Sequence, residues 1–186
     1  MNHFSVEKLY SQNRFSETEV RAKINPIDLP MSLINPERAD ICRQNIEILK
    51  VQKGLEGIDS SKEKGNFGEM LTDIDLKEKG FERISHDRVT DLDQVGHSGI
   101  DGVYYNKEKK EYLIAESKYG LSQLGETLDG RQMSWEWINV RLDDAVGENI
   151  ADKIREQYVK NPDKVHTVIA HISGKENISY RECLPI

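Results

Sequence analysis

An aspartate, a glutamate and a lysine would come together in this chain if two short segments pair as a β-hairpin. Asp101 lies in the first segment, residues 99–105, and Glu116 and Lys118 lie near the end of the second, residues 111–119. Alternate side chains of a strand share a face, so Glu116 and Lys118 point the same way. Because charges at the end of an apolar strand are costly to bury without a partner, their presence there indicates a ligand site.

Two carboxylates at one point provide hard oxygen ligands for a divalent cation, with Mg²⁺ first and Mn²⁺ or Zn²⁺ as alternatives. A lysine beside them can orient or deprotonate a water molecule and offset the charge of a phosphate. The set Asp101, Glu116 and Lys118 is therefore suited to phosphodiester hydrolysis. The competing interpretation is a solvated ion pair on an edge strand, since Glu-x-Lys is a common pattern in a chain with 32% charged residues.

A shared metal also determines the register of the hairpin. Asp101 and Glu116 must lie on one face and close together, which in an antiparallel pair places them directly opposite each other. The polar, lysine-rich residues 106–111 then form the turn. The other predicted pairs are Val103 with Ile114 and Tyr105 with Tyr112.

The elements that must position these residues begin with helices. A capping-box spacing at residues 16–19 predicts a short helix to Ile24, and Asn35 with Pro36 predicts a second one that ends near Gly54. Residues 56–64 are polar and predict a linker, and a third helix is predicted from Gly65 to Gly80. The apolar stripe predicted for the second helix is Ala39, Cys42, Ile46 and Leu49.

Two side chains near these segments have open roles. Glu69 lies three residues after Asn66, so it either closes a capping box in the third helix or joins the carboxylate site. His97 lies near Asp101 and either enters a metal site or is a solvated loop residue.

The rest of the chain predicts a mixed sheet with further helices. Residues 81–84 predict a short strand, residues 165–173 an apolar strand and residues 178–183 an edge strand. Between them, one helix is predicted through Met133, Trp137 and Leu142, and another from Asn149 to Asn161. Helices before and after such a sheet give an α/β sandwich. Trp137 is expected in the core, Trp135 at the surface, and His166 and His171 on opposite faces of their strand.

The residues quoted above resemble the PD-(D/E)XK nuclease superfamily, and more narrowly the nuclease domains of bacterial polymorphic toxins and secretion-system effectors. The resemblance rests on Glu69, on Gly-Ile-Asp101-Gly-Val, on Glu116-Ser-Lys118-Tyr and on the segment around Gln132. It covers residue 65 to the end of the chain. Ile100 stands before the aspartate where the superfamily name has proline.

The resemblance implies a restriction-endonuclease-like fold over residues 65–186, preceded by a helical extension and linker over residues 1–64. It implies that Asp101, Glu116 and Glu69 bind the metal and that Lys118 helps to activate the water. Gln132 would border the active site, whereas from the residues alone it is equally well an exposed residue in the first turn of a helix. It further implies a DNase toxin, delivered to the cytoplasm of a target cell and neutralised by a cognate immunity protein.

Composition limits the partners. The net charge of −7 gives no general attraction to nucleic acid, so DNA must meet a metal ion or a local basic face. The apolar runs are too short to span a bilayer, no classical signal peptide is visible, and both cysteines are expected to be free core residues. The candidates for the basic face, expected near the mouth of the carboxylate cleft, are Lys107, Lys109, Lys110, Arg131 and Arg141.

Two alternatives to a DNase remain open at this point. A tRNA-cleaving RNase would use the same hydrolytic groups. A noncatalytic acidic protein, such as an immunity protein or adaptor, would use its charge to meet a basic partner. Such a protein has no reason to gather Asp101, Glu116 and Lys118 within a few ångströms, so their convergence separates the classes.

Overall fold

The computed structural model describes residues 35–183. Its strands are β1 (Glu82–Arg83), β2 (Gly102–Asn106), β3 (Glu111–Tyr119), β4 (Glu126–Thr127), β5 (Gly130–Arg131), β6 (Val165–Ser173) and β7 (Asn177–Glu182). Five of them form a central mixed sheet in the order β1-β2-β3-β6-β7, and β4 and β5 form a small separate hairpin. In the central sheet the pair β3–β6 is parallel and the other three pairs are antiparallel.

Helices cover both faces of the central sheet, as predicted for an α/β sandwich. α1 (Pro36–Gln52) and α2 (Ser61–Glu78) lie on one face, and α3 (Trp135–Asn139), α4 (Leu142–Val146) and α5 (Glu148–Lys160) lie on the other. A 3₁₀ turn (Pro162–Lys164) leads from α5 into β6. None of the described helices is long and apolar enough to cross a bilayer.

Strand alternation divides the core between the two faces. Val103 and Ile114 pack with Trp137 and Ile154 on the α3–α5 face, whereas Leu113 packs with Leu76 of α2 on the other. The predicted hairpin register is confirmed, since Val103 pairs with Ile114 and Tyr105 with Tyr112. The turn is residues 107–110, shorter than predicted, because Asn106 and Glu111 also pair.

α2 begins four residues earlier than the sequence predicts. Ser60 is the N-cap and forms a capping box with Glu63, so residues 61–64 are helix rather than linker. Asn66 is buried instead of capping, and its Nδ2 atom donates to the carbonyl oxygens of Leu92 and Gln94, both at 2.8 Å. Glu69 therefore has no capping role, and its side chain is available to the site.

The stripe predicted for α1 is wrong. The helix buries Gln44, Ile48 and Val51 instead, and Cys42 is exposed, so the expectation that this free cysteine lies in the core is also wrong. Ile48 and Val51 pack against α2 and β6. The described residues from Glu37 onward belong to one compact unit. The predicted helix at residues 16–24 lies outside the described residues.

The segment after Gly130 also differs in detail. The single helix predicted there is two short ones, α3 and α4, because the chain turns between Asn139 and Leu142. α5 begins after Gly147, without a side-chain cap from Asn149. Trp137 is buried as predicted, while Trp135 is half-buried and stacks on Tyr158 with ring centroids 3.6 Å apart.

Candidate active site

Asp101 lies directly before β2, at the open end of the hairpin. Gly102 pairs with Ala115, so the next position along each strand places Asp101 opposite Glu116. The backbone N–H of Ser117 donates to Asp101 Oδ2 at 2.8 Å, which holds the carboxylate against β3. The two carboxylates predicted to share a metal therefore lie side by side.

Glu116 is only 3% exposed, and among the described residues only one of its two carboxylate oxygens accepts hydrogen bonds. Its Oε1 atom accepts hydrogen bonds from Lys118 Nζ at 2.7 Å and from Gln132 Nε2 at 2.5 Å. Its Oε2 atom is buried and has no hydrogen-bond partner among the described residues. A buried carboxylate oxygen without a donor is costly, and a cation at that position would satisfy it.

Gln132 is thus brought to the site rather than left exposed. It follows β5, and its Oε1 atom accepts from the backbone N–H of Gly125 at 3.1 Å while its Nε2 atom reaches Glu116. The small β4–β5 hairpin therefore positions a side chain against the carboxylates. No sequence pattern predicts this hairpin, because its strands are only two residues long.

Glu69 reaches the site from α2, which approaches the sheet closely at Gly68. A Cβ atom at Gly68 would lie 3.4 Å from Ile172 Cδ1 and 3.7 Å from Ser117 Cβ, so the helix and the strands are already in contact. Next to this contact, Thr72 Oγ1 lies 3.0 Å from Ser117 Oγ. The close approach brings Glu69 to the end of β3, beside the hairpin carboxylates.

His97 is part of the same cluster. Its Nε2 atom lies 3.3 Å from Glu69 Oε2, and ligand atoms of Glu69, His97 and Asp101 all lie within 4.8 Å of one another. The hydrogen bond to Glu69 is the main reason that the pKa of His97 is raised. The sequence alone leaves the role of His97 open because its loop, residues 85–101, has no periodic pattern to place it.

Burial and mutual repulsion disfavour the ionised forms of the carboxyl groups in this cluster. Burial, and then the charges of Glu116 and Glu69, raise the pKa of Asp101 well above its ordinary value. Burial likewise raises the pKa of Glu116, although Lys118 acts in the opposite direction. Carboxyl groups whose ionised forms are disfavoured in this way are stabilised when a divalent cation binds between them.

The donor set fits a divalent cation. Carboxylate oxygens from Glu69, Asp101 and Glu116 suit Mg²⁺ or Mn²⁺, and an imidazole such as that of His97 is a more usual ligand for Zn²⁺. When bound, such an ion would supply Lewis acidity and lower the pKa of a coordinated water. The side chains of Glu69, Asp101 and Glu116 would hold the ion, and Lys118 would place a positive charge beside it.

A buried polar cluster anchors the backbone of Asp101. The Asp73 carboxylate on α2 accepts from Gln44 at 2.6 Å, from Tyr104 at 2.6 Å and from Arg83 at 2.8 Å. Arg83 also donates through its other terminal nitrogen to the carbonyl oxygen of Asp101 at 2.7 Å. Asp73 lies one helical turn after Glu69, so this ion pair links the helix that carries Glu69 to the backbone of Asp101, just before β2.

The predicted basic residues do not all surround this cluster. Lys107, Lys109 and Lys110 are exposed in the hairpin turn, six or more residues from Glu116 along the hairpin and therefore about 20 Å away. Their expected place at the mouth of the cleft is wrong. Arg131 is adjacent to Gln132 and 3.8 Å from Glu126, and Arg141 pairs with Asp129 at 2.9 Å.

Comparison of the chain with protein-family models, with curated proteins and with solved structures found no significant match.

We expect the buried carboxyl groups of the acidic cluster to lower the stability of the metal-free protein. The folded pKa of Asp101 lies above its ordinary 3.8, so its contribution to stability is full below that pH and is lost as the pH rises through the folded value. Asp101→Asn should therefore raise the melting temperature of the metal-free protein at pH 7.5, by about 2–4 °C for each 1 kcal/mol of relief.

Differential scanning fluorimetry from pH 5 to pH 8, in chelator and in Mn²⁺, measures this effect. The gap between Asp101→Asn and the wild type should widen with pH, and Mn²⁺ should stabilise only the wild type. Glu126→Gln, an exposed carboxylate on β4, is the matched control. A metal-free Asp101→Asn variant less stable than the wild type at pH 7.5 would contradict the prediction.

Proposed function

We propose that the domain over residues 65–186 is a metal-dependent nuclease that hydrolyses phosphodiester bonds, with DNA as the first candidate substrate. Two observations carry the proposal. Ligand atoms of Glu69, His97 and Asp101 lie within 4.8 Å of one another, and Glu116, opposite Asp101 on β3, has a buried carboxylate oxygen that lacks a hydrogen-bond donor within residues 35–183. Lys118 adds a charge 2.7 Å from the same carboxylate.

The roles follow from the contacts. Glu69, Asp101 and Glu116 would hold the cation, and His97 would offer it a nitrogen ligand. Lys118, half-buried and bonded to Glu116, would orient the attacking water and balance the charge that develops on the phosphate. Gln132 would keep the Glu116 carboxylate in position while its other oxygen meets the cation.

A noncatalytic role explains this arrangement poorly. A protein that uses negative charge to meet a basic partner would expose its carboxylates, where they attract the partner at no desolvation cost. Glu116 is instead buried with a raised pKa. Buried, mutually repelling acids cost stability, which ligand binding offsets in a functional site and nothing offsets in a scaffold.

Cleavage assays test the proposal directly. Purified protein should cut supercoiled plasmid DNA in Mg²⁺ or Mn²⁺ and should lose the activity in excess chelator. Bulk tRNA, incubated in parallel, decides between DNase and RNase activity. If neither polymer is cut with any of Mg²⁺, Mn²⁺ or Zn²⁺, the nuclease proposal fails.

We further propose the setting of a delivered toxin with a cognate immunity protein, for which the support is the family resemblance of residues 65–186. Expression of the wild-type chain inside a bacterium should then arrest growth and degrade the chromosome. Expression of Glu116→Gln should do neither. Equal growth of the two strains at equal protein levels would contradict the proposal that the protein is a toxin.

A further inference from the structure

The face of the sheet that carries Glu116 and Lys118 continues beyond the carboxylates onto β6 and β7. In the parallel pair, Glu116 lies beside Ile169 and Lys118 beside His171. In the next pair, Ile169 lies beside Arg181 and His171 beside Ser179. Residues paired across neighbouring strands share a face, so these side chains extend from the acidic cluster across two further strands.

A pocket of about 280 Å³ lies on this part of the face. Lys118, His171, Ser179 and Arg181 line it, and residues 122–124 of the loop after β3 form one side. Its lining holds a lysine, an arginine, a histidine and hydroxyl groups, and no carboxylate. In a chain with a net charge of −7, an acid-free pocket beside an acidic cluster is a local reversal of charge.

Arg181 and His171 remain available to a ligand, because no carboxylate among the described residues pairs with them. Both are exposed, as is Ser179, and within residues 35–183 neither Arg181 nor His171 has an ion pair with a carboxylate. The acid beside them on β7 does not face them, since Glu182 points to the other side of the sheet and contacts His166. An unpaired guanidinium beside a hydroxyl and an imidazole is a good receptor for a phosphate oxygen pair.

We propose that this pocket is a phosphate subsite, in which Arg181, His171 and Ser179 hold one backbone phosphate of a nucleic-acid strand while another phosphate of that strand lies at Glu116 and Lys118. Two strand spacings separate β3 from β7, about 10 Å, so the two phosphates belong to nucleotides that are close together along the strand. The inference rests on the proposed function for its ligand and adds to it the path of the strand. That path runs across the sheet from β3 towards β7, away from the lysines of the hairpin turn.

Salt-dependent DNA binding tests the subsite without cleavage. The affinity of the full chain for a fluorescein-labelled DNA of about 14 nucleotides, single-stranded and duplex, is measured in EDTA by anisotropy from 50 to 200 mM NaCl. Arg181→Ala should weaken binding about tenfold. It should also reduce the slope of log affinity against log salt by about 0.7 to 0.9, the value of one phosphate contact. Arg181→Lys should retain most of the slope.

The matched control is Arg38→Ala, an exposed arginine on α1, which packs on the opposite face of the sheet. Its affinity and slope should equal those of the wild type. Equal behaviour of Arg181→Ala and Arg38→Ala, or absence of DNA binding by the wild type, would overturn the subsite. Inorganic phosphate that binds in an Arg181-dependent manner while DNA binding does not depend on Arg181 would also overturn it, because the pocket would then serve a small phosphate ligand.

The two proposals fail in different ways. If the wild type cuts DNA in Mg²⁺ but Arg181→Ala binds it as tightly as the wild type, the nuclease stands and the subsite is wrong. If DNA binding depends on Arg181 but no polymer is cut, the subsite stands and the nuclease is wrong.

Discussion

Glu116→Gln and Asp101→Asn are each expected to reduce cleavage by about 10³-fold or more while the protein stays folded. Each substitution would remove a negatively charged oxygen from the proposed cation site, and metal-assisted hydrolysis depends on its ion for several kcal/mol of transition-state stabilisation. The folded state should tolerate both changes, because the pKa values of both carboxyl groups are already raised. Initial rates on plasmid DNA, with circular dichroism of each variant, measure the effect.

Two further substitutions sharpen this prediction. Lys118→Ala should lose cleavage but retain Mn²⁺ binding, because the ammonium contacts Glu116 rather than serving as a ligand. Glu126→Gln, the exposed control, should cut at the wild-type rate. Full activity in folded Glu116→Gln and folded Asp101→Asn would refute the assignment of both carboxylates.

Arg83→Met is expected to produce the largest loss of stability. The side chains of Arg83 and Asp73 are 3% and 2% exposed, and their atoms lie 2.8 Å apart. Removing one partner of a buried ion pair leaves an uncompensated charge, at a cost of about 3–5 kcal/mol. Urea denaturation at pH 7.5 measures the change in the free energy of unfolding.

The double variant Arg83→Met with Asp73→Asn distinguishes the effect of the ion pair on stability from its effect on the position of Asp101. Removing both charges should restore much of the stability, because the side-chain oxygen of the introduced asparagine still accepts from Tyr104. Cleavage should stay low, because the carbonyl oxygen of Asp101 has lost its donor. Full recovery of cleavage together with stability would show that the Asp73–Arg83 pair has no positioning role.

The hairpin could be predicted from the sequence because one chemical requirement, two carboxylates on one metal, determines the whole register. The pairing of Val103 with Ile114 follows from that requirement and from strand alternation. The same hairpin places Lys109 and Lys110 at the end opposite Glu116. Strand rise alone therefore excludes these lysines from the mouth of the cleft.

The buried face of α1 and the position of His97 could not be predicted from the local sequence. The predicted stripe of α1 is wrong because the helix buries Gln44, whose amide nitrogen is satisfied by Asp73 and by the carbonyl oxygen of Val89. The periodicity of an amphipathic helix places such a polar residue on the solvent-exposed face. The place of His97 depends on Asn66, which holds the preceding loop through carbonyl contacts 26 and 28 residues away in sequence. Contacts of that kind are set by tertiary structure and leave no pattern in a single sequence.

The parallel pairing of β3 with β6 has a consequence for the order of folding. Tyr112 and Val165 are partners although 52 residues lie between them, so the central strand β3 pairs with β6 through contacts of high sequence separation. Closing such a loop is slow compared with forming a local hairpin, and a two-stranded hairpin is marginal by itself. Before β6 docks, the carboxylates of Asp101 and Glu116 remain hydrated and repel each other little. The proposed cation site is therefore expected to form late, together with the sheet, and the rate at which a folding chain acquires metal binding should equal the rate of β6 docking.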